Sequence, residues 1–406
     1  MINGARIQFA RRYRQLRNIW MTEGPSGISH RMRTAVARWV APKDVVMPVR
    51  PADVMAADLS QPFRAAVPNI SPGEPVFVNW VTTPAGPGSG GHTTLYRIIN
   101  YLESHGYVNR IYFYDVYHGD HKYYDAISRC SYGFKGKLAR LDDGMEDAHA
   151  VVATSWPTAY PVFNARCAGK RFYFAQDFEP YFHPVGASSV LAENTYRMGF
   201  HAITGGRWLA EKLRAEFFMD ADYFQFGCDV SRYNRLPSSR RSGVAFYARP
   251  EAARRGFELG MMALEVFAKR QPEMELHFYG EKMGNLPFTF VDHGRVTPEQ
   301  LNDIYNRCYA GLSLSLTNVS LVPQEMLAAG CIPVVNDAIH NRIVLDNPFV
   351  RYAPLTPHAL ALELETLVMM ADFDSLSQAA AASVHSATWD DAGASVDAIL
   401  RRALGA

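Results

Sequence analysis

The stretch SLSLTNVSLVPQEMLAAGCIPVVND, residues 313–337, places a short polar loop directly before a segment that carries a carboxylate. Its pattern predicts a strand, a loop, a helix and a second strand. The loop at 317–320 would open a helix whose first N–H groups can face an anion. Glu325 falls in the first turns of that helix, where its carboxylate can accept hydrogen bonds from sugar hydroxyls. The pattern favours a sugar-phosphate site, although any βαβ unit with an exposed glutamate shares these features.

Two arginines occur in the segment YARPEAARRGFELGMMALEVFAKR. Arg249 follows a predicted strand, and Arg255 precedes Gly256, where a helix is predicted to begin. Guanidinium groups suit phosphate because their planar fork donates several hydrogen bonds. Either arginine alone is more typical of an ordinary surface position. Their convergence near one helix terminus predicts a diphosphate site.

A third feature is the pair of segments LHFYGEK and VDHGRVTPEQLNDIYN. Gly294 is predicted to begin a turn into a helix. Thr297 is the predicted N-cap of that helix, and Gln300, three residues on, completes the pattern of a capping box.

In the first half of the chain, the segment QDFEP places Asp177 and Glu179 after a predicted strand. Parallel sheets bind ligands at the carboxyl ends of their strands, so a carboxylate there could orient or deprotonate an acceptor hydroxyl. The alternative, that Asp177 caps the local turn, is equally consistent with the sequence. Further predicted acceptor contacts are the strand-end residues Thr154, Ser155 and Trp156 and an aromatic platform of Tyr173, Phe178, Tyr181 and Phe182.

Short apolar runs alternate with amphipathic stretches along the chain, which is typical of α/β proteins. The predicted strands are PVFVNWV, RIYFYDVY, HAVVAT, KRFYFAQ, HAITG and YFQFG in the first half and VAFYA, ELHFYG, FTFVDHG, AGLSLSL and IPVVND in the second. The clearest helix is predicted from about Gly91 to His105, with Leu95 and Leu102 on its apolar face and Gly106 as its stop. The strands are continuously apolar, which indicates a mainly parallel sheet covered on both faces. The polar, basic segment at 231–242 predicts a domain boundary.

The sequence thus predicts two tandem Rossmann-like domains that face a cleft, with a helical N-terminal extension. The predicted parts are a basic helical extension and irregular connector at 1–74, a first Rossmann-like domain at 75–231, a second at 243–375, and C-terminal helices at 376–406 that pack back toward the first domain.

The 406 residues are 48% hydrophobic and 20% charged, with a net charge of +1, so nothing global indicates a nucleic-acid partner. The five cysteines are widely spaced and form no CxxC pair, which argues against a disulfide framework or a zinc site. No apolar run is long enough to cross a membrane. We expect a cytoplasmic protein that uses no cofactor and no metal ion.

The first 43 residues carry eight arginines and Lys43 against Glu23 alone. At helical spacing Ile2, Phe9, Tyr13, Leu16 and Trp20 share one side, with Arg11 opposite. This pattern predicts a helix that lies on the inner face of an anionic membrane, or alternatively a helix packed on the body of the protein.

The arginine pair, the turn at Gly294 and the 313–337 segment, in this order, resemble the C-terminal domain of the retaining GT-B glycosyltransferases of family 4. The resemblance covers residues 243–336 closely and 75–405 more loosely. It implies that the domain at 75–231 binds the acceptor and that the domain at 243–375 binds the nucleotide sugar. It implies that Arg249 and Arg255 hold the diphosphate of a nucleotide-sugar donor and that Glu325 holds the ribose. It also implies that the backbone of Gly294, Val296 and Thr297 takes the base, while Thr317, Asn318, Val319 and Ser320 contact the donor.

The resemblance has one departure. The family pattern is a glutamate, seven residues and a second glutamate, and Thr317 stands where the first glutamate is expected. Because that glutamate contacts the donor sugar, its absence implies a different sugar. The words QDFEP and NVSLVPQEML look like bacterial rhamnosyltransferases of surface-glycan synthesis, which implies dTDP-rhamnose as the donor and a growing, lipid-linked glycan as the acceptor.

The loop VTTPAGPGSGGHTT, residues 81–94, is a glycine-rich turn between a predicted strand and a predicted helix, as in dinucleotide-binding domains. Its glycines, however, do not form the GxGxxG pattern of those domains. Under the resemblance, Gly90 and Gly91 instead let the backbone approach the donor across the cleft.

The resemblance also implies that the transfer retains the configuration of the sugar, with Asp177, Arg249 and Arg255 as the catalytic residues.

Three alternatives remain open on the sequence. A nucleotide-sugar 2-epimerase shares the two domains, a non-catalytic nucleotide-sugar binding module would explain the missing glutamate, and a structural adaptor would use only the basic segment.

Overall fold

The computed structural model describes residues 2–40, 47–61, 66–71, 73–237 and 240–405. The chain divides into one unit at residues 1–48 and a second at residues 49–406. The first unit is a helix, α1 (Ile2–Val40), with non-helical backbone at Gly24, where φ is 64°, before Pro25. Pro25 cannot donate the helical hydrogen bond, so the interruption is expected there.

The second unit contains two parallel sheets. The first has seven strands in the order β3-β2-β1-β4-β5-β6-β7. Its strands are β1 (Val76–Thr82), β2 (Tyr107–Phe113), β3 (Lys137–Arg140), β4 (Ala150–Ala153), β5 (Lys170–Ala175), β6 (His201–Gly205) and β7 (Ala221–Phe224).

The second sheet has six strands in the order β10-β9-β8-β11-β12-β13. Its strands are β8 (Gly243–Ala248), β9 (Glu275–Gly280), β10 (Val291–Asp292), β11 (Cys308–Leu312), β12 (Ile332–Asn336) and β13 (Arg351–Ala353). Every described strand pair in the two sheets is parallel. Both orders are those of doubly wound Rossmann-like domains, which confirms the predicted fold class.

Helices connect the strands. They are α2 (Pro51–Ala56), α3 (Gly90–Ser104), α4 (His121–Cys130), α5 (Trp156–Asn164), α6 (Ala187–Asn194), α7 (Arg207–Phe217), α8 (Phe257–Arg270), α9 (Pro298–Arg307), α10 (Val322–Ala328), α11 (Ile339–Leu345), α12 (Pro357–Val368), α13 (Phe373–Ala382) and α14 (Trp389–Leu404). As predicted, Leu95, Ile98, Ile99 and Leu102 on α3 are buried.

The last helix, α14, packs on the first of the two domains. The Tyr107 hydroxyl donates to Asp397 Oδ1 at 2.5 Å, and Arg402 forms an ion pair with Asp222 at 2.6 Å. Gly393 lies directly against the ring of Tyr101, so a side chain at this position would overlap the ring. The chain therefore crosses from the first domain to the second and returns.

The structure corrects several boundaries. Strands β3 and β13 were not predicted, and the predicted strand FTFVDHG shrinks to the two residues of β10. The segment 44–74, predicted as an irregular connector, contains α2. This helix is anchored because Tyr114 donates to Asp53 Oδ2 at 2.6 Å and Asn164 Nδ2 donates to the Asp53 carbonyl at 2.8 Å.

In α1, the side chains of Tyr13, Leu16 and Trp20 are exposed. The side chains of Ile2, Phe9 and Arg11, which complete the predicted stripe, lie outside the described residues. Within the described ranges, no helix is both long and apolar enough to span a bilayer.

Candidate functional site

The candidate site lies where the carboxyl ends of the two sheets meet. Asp177 follows β5 of the first domain, and the loop at 313–321 follows β11 of the second. In doubly wound sheets this edge is where ligands bind, because the loops after the strands converge there. The contacts between the two sides of the site join residues about 140 positions apart in the chain.

Asp177 bridges the two domains. Its Oδ1 accepts from the backbone N–H of Asn318 at 2.8 Å and of Phe178 at 2.9 Å, and its Oδ2 accepts from Thr317 Oγ1 at 3.1 Å. Asn318 was predicted to contact the nucleotide-sugar donor, and in this structure its N–H donates to the carboxylate of Asp177. The contact with Phe178 is the local turn cap that the sequence left open for Asp177.

Thr317 now has a physical explanation. Its side chain is buried and donates to the carboxylate of Asp177. A glutamate at this position would bring a second carboxylate into the same small space, where like charges disfavour each other. Threonine avoids this repulsion and donates a hydrogen bond to Asp177 instead.

Asn318 makes further contacts between the domains. It is fully buried, and its Nδ2 donates to the Gln176 carbonyl at 2.9 Å and to the Gly205 carbonyl at 2.6 Å. Its own Oδ1 accepts from the N–H of Val319 at 3.0 Å. Asn318 was predicted only as a contact of the nucleotide-sugar donor, and these hydrogen bonds to the first domain were not predicted.

Arg255 is held beneath the same loop. It donates through Nη1 to Ser315 Oγ at 2.6 Å and to the Asn318 carbonyl at 3.3 Å. Burial lowers the pKa of Arg255 to about 10, against the opposing influence of Asp177, so the group stays charged at neutral pH. Arg255 therefore supports the loop and adds positive charge to this edge of the sheet.

Arg254 was missed in the sequence. Its Nε lies 3.6 Å from Asp177 Oδ2, and its guanidinium lies 4.3 Å from the ring centroid of Phe182. The signal was present in the repeated arginine of EAARRGF, but nothing in the spacing showed which of the two would face the first domain.

Arg249 keeps hydrogen-bonding capacity. Its Nη1 donates to the Tyr247 hydroxyl at 2.9 Å, while its buried Nε has no hydrogen-bond partner among the described residues. Buried donors are normally paired, so an unpaired one at a ligand-binding edge indicates a place for an acceptor. Among the predicted phosphate contacts, Arg249 has the geometry most suited to an incoming anion.

Glu325 lies in the first turn of α10. Burial raises the pKa of Glu325 to about 7; the charge of Arg97 lowers it, and that of Asp229 raises it. Arg97 itself pairs with Asp229 at 3.1 Å. No hydrogen bond to the Glu325 carboxylate is present within the described part of the chain, so both oxygens can accept from a ligand.

Comparison with known proteins identifies this architecture. Residues 242–365 match the protein family described as WsaF, C-terminal domain. The O-antigen biosynthesis protein RfbC of Myxococcus xanthus is 35% identical over 204 residues, which cover 48% of this chain, and the chain spans 16% of the length of RfbC.

Solved structures agree on the fold. TarM of S. aureus, solved in a complex that includes UDP, is 8% identical and superposes with a TM-score of 0.65 over 80% of this chain and 99% of TarM. HepE of Anabaena, solved with UDP and glucose, is 12% identical with a TM-score of 0.60 over 81% of this chain and 99% of HepE. The fold is GT-B.

In this GT-B chain, the glycine loop approaches the site from the first domain. The carbonyl of Gly91 accepts from Gln176 Nε2 at 2.9 Å, and Gln176 in turn accepts from Asn318. A side chain at Gly90 would meet no atom within 4 Å, so open space lies beside it. The loop thus reaches the contact between the domains.

The turn at 294–297 has the predicted local form. Gly294 has a φ of 58°, in the left-handed region that favours glycine. Thr297 is the N-cap of α9; its Oγ1 accepts from the N–H of Gln300, and its own N–H donates to Gln300 Oε1 at 3.0 Å. The capping box is confirmed. Val296 is half-buried between them, and contact of this turn with a nucleotide base stays a prediction.

The predicted aromatic platform does not form. Tyr173 and Phe178 are buried in the first GT-B domain, and Trp156 is also buried. Phe182 lies under Arg254. Tyr181 is 54% exposed, so within this group it is the ring best placed to meet a sugar. The prediction rested on the position of these residues at strand ends, and this position does not show which rings the packing of the domain buries.

The remaining predicted acceptor contacts are held by the protein itself. Glu179 is buried and accepts from the N–H of Trp156 at 2.6 Å, and burial raises the pKa of its carboxyl to about 8. Thr154 Oγ1 donates to the Val81 carbonyl at 2.9 Å, and the N–H of Ser155 donates to Thr158 Oγ1 at 3.1 Å. The hydroxyl of Ser155 is buried and unpaired among the described residues.

Chemically, the site offers cationic donors on one side and a carboxylate acceptor on the other. Arg249 and Arg255 can stabilise negative charge, as electrostatic catalysis requires. Glu325 can accept from hydroxyls. No group of three His, Cys, Asp or Glu residues suited to a metal ion occurs in the part of the chain that the structure describes.

Proposed function

We propose that the protein is a glycosyltransferase that transfers a sugar from a nucleotide-sugar donor to a glycan acceptor. The observation that carries the proposal is the unpaired Nε of Arg249, at the carboxyl edge of the same sheet as the unpaired carboxylate of Glu325. A diphosphate would accept from Arg249, and a hydroxyl of the nucleotide sugar would donate to Glu325. The GT-B fold and the O-antigen name of the Myxococcus relative support this proposal.

In finer detail, we propose that the donor is dTDP-L-rhamnose and that the acceptor is a growing, lipid-linked bacterial surface glycan. Thr317 supports the choice of a 6-deoxy sugar, because it places a short hydroxyl, already bonded to Asp177, where related enzymes carry a glutamate. Transfer would retain the configuration of the sugar and would need no metal ion or cofactor. We therefore expect that EDTA does not change the rate of turnover.

In the proposed mechanism, Arg249 and Arg255 hold the diphosphate and stabilise the charge that develops as it leaves. Asp177 holds the 317–318 loop against the first domain and thereby positions the donor. The acceptor enters from the first domain, and the departing diphosphate helps to take the proton of its hydroxyl. The contacts between the domains would form and break as substrates enter and leave.

The first prediction tests Arg249. Replacing Arg249→Gln should raise the Kd for dTDP about tenfold or more, because a charge-assisted hydrogen bond is worth about 1.5–3 kcal/mol. Isothermal titration calorimetry measures this directly. Arg270→Gln, at the far end of α8, removes the same charge from an exposed position and should leave the Kd unchanged. Equal affinity of the Arg249 variant and the native protein would refute the diphosphate assignment.

A thermal-shift screen against nucleotide sugars tests the donor itself, since a ligand that binds the native state raises the unfolding midpoint. Stabilisation by UDP-sugars and not by dTDP-rhamnose would change the donor and leave the enzyme class standing. Epimerised donor formed without any acceptor would instead identify a 2-epimerase. Donor binding with no transfer to any glycan would identify a binding module.

We also propose that α1 attaches the protein to the cytoplasmic face of an anionic membrane. Tyr13, Leu16, Trp20 and Trp39 are exposed on a helix that also carries arginines at positions 14, 17, 31 and 33. Exposed aromatic and basic side chains on one helix favour an interface with anionic headgroups.

The second prediction tests this attachment. A double variant Leu16→Ala and Trp20→Ala should lose cosedimentation with vesicles that contain phosphatidylglycerol, because it removes apolar area that enters the interface. The matched double variant Gln15→Ala and Asn18→Ala changes polar neighbours on the same helix and should bind as the native protein does. Undiminished binding of the first variant would disprove an apolar contribution of this helix.

A further inference from the structure

A cavity of about 240 Å³ lies away from the site described above. It opens at the carboxyl ends of β2 and β3 in the first domain. Phe113 forms its apolar part, and Asp115, His118, His121, Arg140 and Asp142 supply its polar atoms.

The two carboxylates of the cavity are already fixed by donors. Asp115 accepts from the N–H of Tyr117 at 2.9 Å, from the N–H of Gly119 at 2.6 Å and from the Tyr124 hydroxyl at 3.2 Å. Asp142 accepts from both terminal nitrogens of Arg50, at 2.5 and 3.0 Å. Asp115 Oδ2 already accepts two hydrogen bonds, whereas Asp115 Oδ1 and both oxygens of Asp142 each accept one of these bonds and keep a second lone pair.

The loop that carries His118 is held in an unusual conformation. His118 has a φ of 54°, in the left-handed region that non-glycine residues seldom adopt. Asp115 fixes this turn through its bonds to the backbone on either side of His118. Such local strain persists where the surroundings enforce it and concentrates at ligand sites. His118 is exposed on this turn and lines the cavity.

The mixture of groups determines the kind of ligand. Arg140 can only donate, the carboxylates can only accept, and each neutral imidazole can do both through its two nitrogens. An anion would meet two carboxylates in the wall, whereas a sugar hydroxyl both donates and accepts. Phe113 lines the cavity but is only 5% exposed, so it offers the C–H groups of a sugar ring a small apolar contact.

We infer that this cavity is a second acceptor subsite, which binds one sugar ring of the glycan at a distance from the point of transfer. The inference rests on the proposed glycosyltransferase function. In the strand order, β2 and β5 are separated by β1 and β4, so the cavity and Asp177 lie about 14 Å apart across the sheet. A single sugar cannot fill both places, so the subsite would select acceptors that already contain several sugar units.

The experiment uses full-length protein with isotope-labelled histidines, whose imidazole NMR signals for residues 118 and 121 are assigned with His118→Asn and His121→Asn. Asparagine tolerates the left-handed conformation, so the loop keeps its form. Methyl α-L-rhamnoside, methyl α-D-glucoside and inorganic phosphate are the probes. We expect saturable shifts of both signals with at least one of the two glycosides and none with phosphate.

Arg140→Gln should weaken glycoside binding about tenfold, because it removes the charged donor from the cavity. Lys122→Gln removes a charge from an exposed neighbour that does not line the cavity, and it should change nothing. Shifts with phosphate alone, or with no probe, would overturn the inference. Binding of dTDP, measured in parallel, separates the outcomes: if dTDP binds and the glycosides do not, the subsite fails and the proposed function stands. If the glycosides bind and dTDP does not, the subsite stands and the proposed nucleotide-sugar function fails.

Discussion

Glu325 is half-buried, and its carboxylate has no hydrogen-bond partner in the described chain. Its carboxylate therefore carries the cost of desolvation, and its pKa rises from its ordinary value of 4.5 to about 7. A protonated carboxyl accepts a hydrogen bond more weakly than a carboxylate does. The charge state of Glu325 is thus coupled to any ligand whose hydroxyl it accepts.

The third prediction follows from this coupling. Because the raised pKa leaves Glu325 largely protonated below pH 7, donor affinity should increase as the pH rises through 7. We expect the Kd for dTDP to fall about fivefold between pH 6 and pH 8, as a neutral acceptor is replaced by a charged one.

Glu325→Gln is the control, since it keeps the shape and removes the titration. The diphosphate itself gains charge in this pH range, and the glutamine variant shows how much of the change comes from the ligand. Calorimetric titrations at both pH values compare the two proteins. An identical pH dependence in the variant would show that Glu325 does not contact the nucleotide.

The 313–321 loop shows which part of the site the sequence could predict at the scale of an element. Its place after β11 and before α10 followed from the alternation of apolar strand and helix. Its partners did not, because Asp177, Gln176 and Gly205 are more than 100 residues away in the chain. Only the packing of the two domains brings these atoms together.

The strands show the same limit. Continuously apolar runs such as β1 and β8 were predicted because their burial on both faces is visible in their composition. Strand β3 has the sequence KLAR, with exposed or half-buried positions at the sheet edge, and β13 has only three residues. Neither carries enough apolar signal. In FTFVDHG, Phe288 and Phe290 pack against the core from outside the ladder, so an apolar run was mistaken for a strand.

The fourth prediction concerns the loop as a connection between domains. Asn318→Ala removes the two side-chain bonds to the first domain and should lower the free energy of unfolding by about 1–3 kcal/mol. It should also increase the radius of gyration measured by small-angle X-ray scattering, because the domains are less firmly joined.

Asn341→Ala is the matched comparison. Asn341 is equally buried, and its Nδ2 donates to the Asn336 carbonyl within the second domain. This variant should lose stability without any change in the radius of gyration. If both variants scatter alike, Asn318 does not hold the domains together.

At the scale of the whole molecule, α14 is the element that returns the chain to the first domain. Val396 and Leu400 on this helix are fully buried, and Arg97 of α3 lies 4.6 Å from the ring of Trp389. The first domain therefore includes residues from both ends of the second unit. The predicted return of the C-terminal helices to the first domain is confirmed for α14, whereas Ser377 of α13 lies against Gly330 and Arg241 of the second domain. The composition of α14 did not show that α3 is the surface it covers.

The fifth prediction tests this closure. Gly393→Val forces a branched side chain against the ring of Tyr101 and should cost about 1–3 kcal/mol of stability by overpacking. Chemical denaturation followed by tryptophan fluorescence measures the change. Ala394→Val places the same side chain at the next, exposed position and should cost only the few tenths of a kcal/mol that valine loses in a helix. Similar losses for both would show that α14 contributes no close packing at Gly393.

The return of α14 also sets the order in which the protein can fold during synthesis. The chain between Ser104, where α3 ends, and Trp389, where α14 begins, spans 285 positions (389 − 104). A ribosome that adds roughly 5–20 residues per second needs roughly 14–57 s to make this segment. Throughout that time Tyr101 and the outer side of α3 lack their cover. The first domain is therefore synthesised first but completed last. Until α14 emerges from the ribosome, the uncovered surface of α3 is exposed to contact with other proteins.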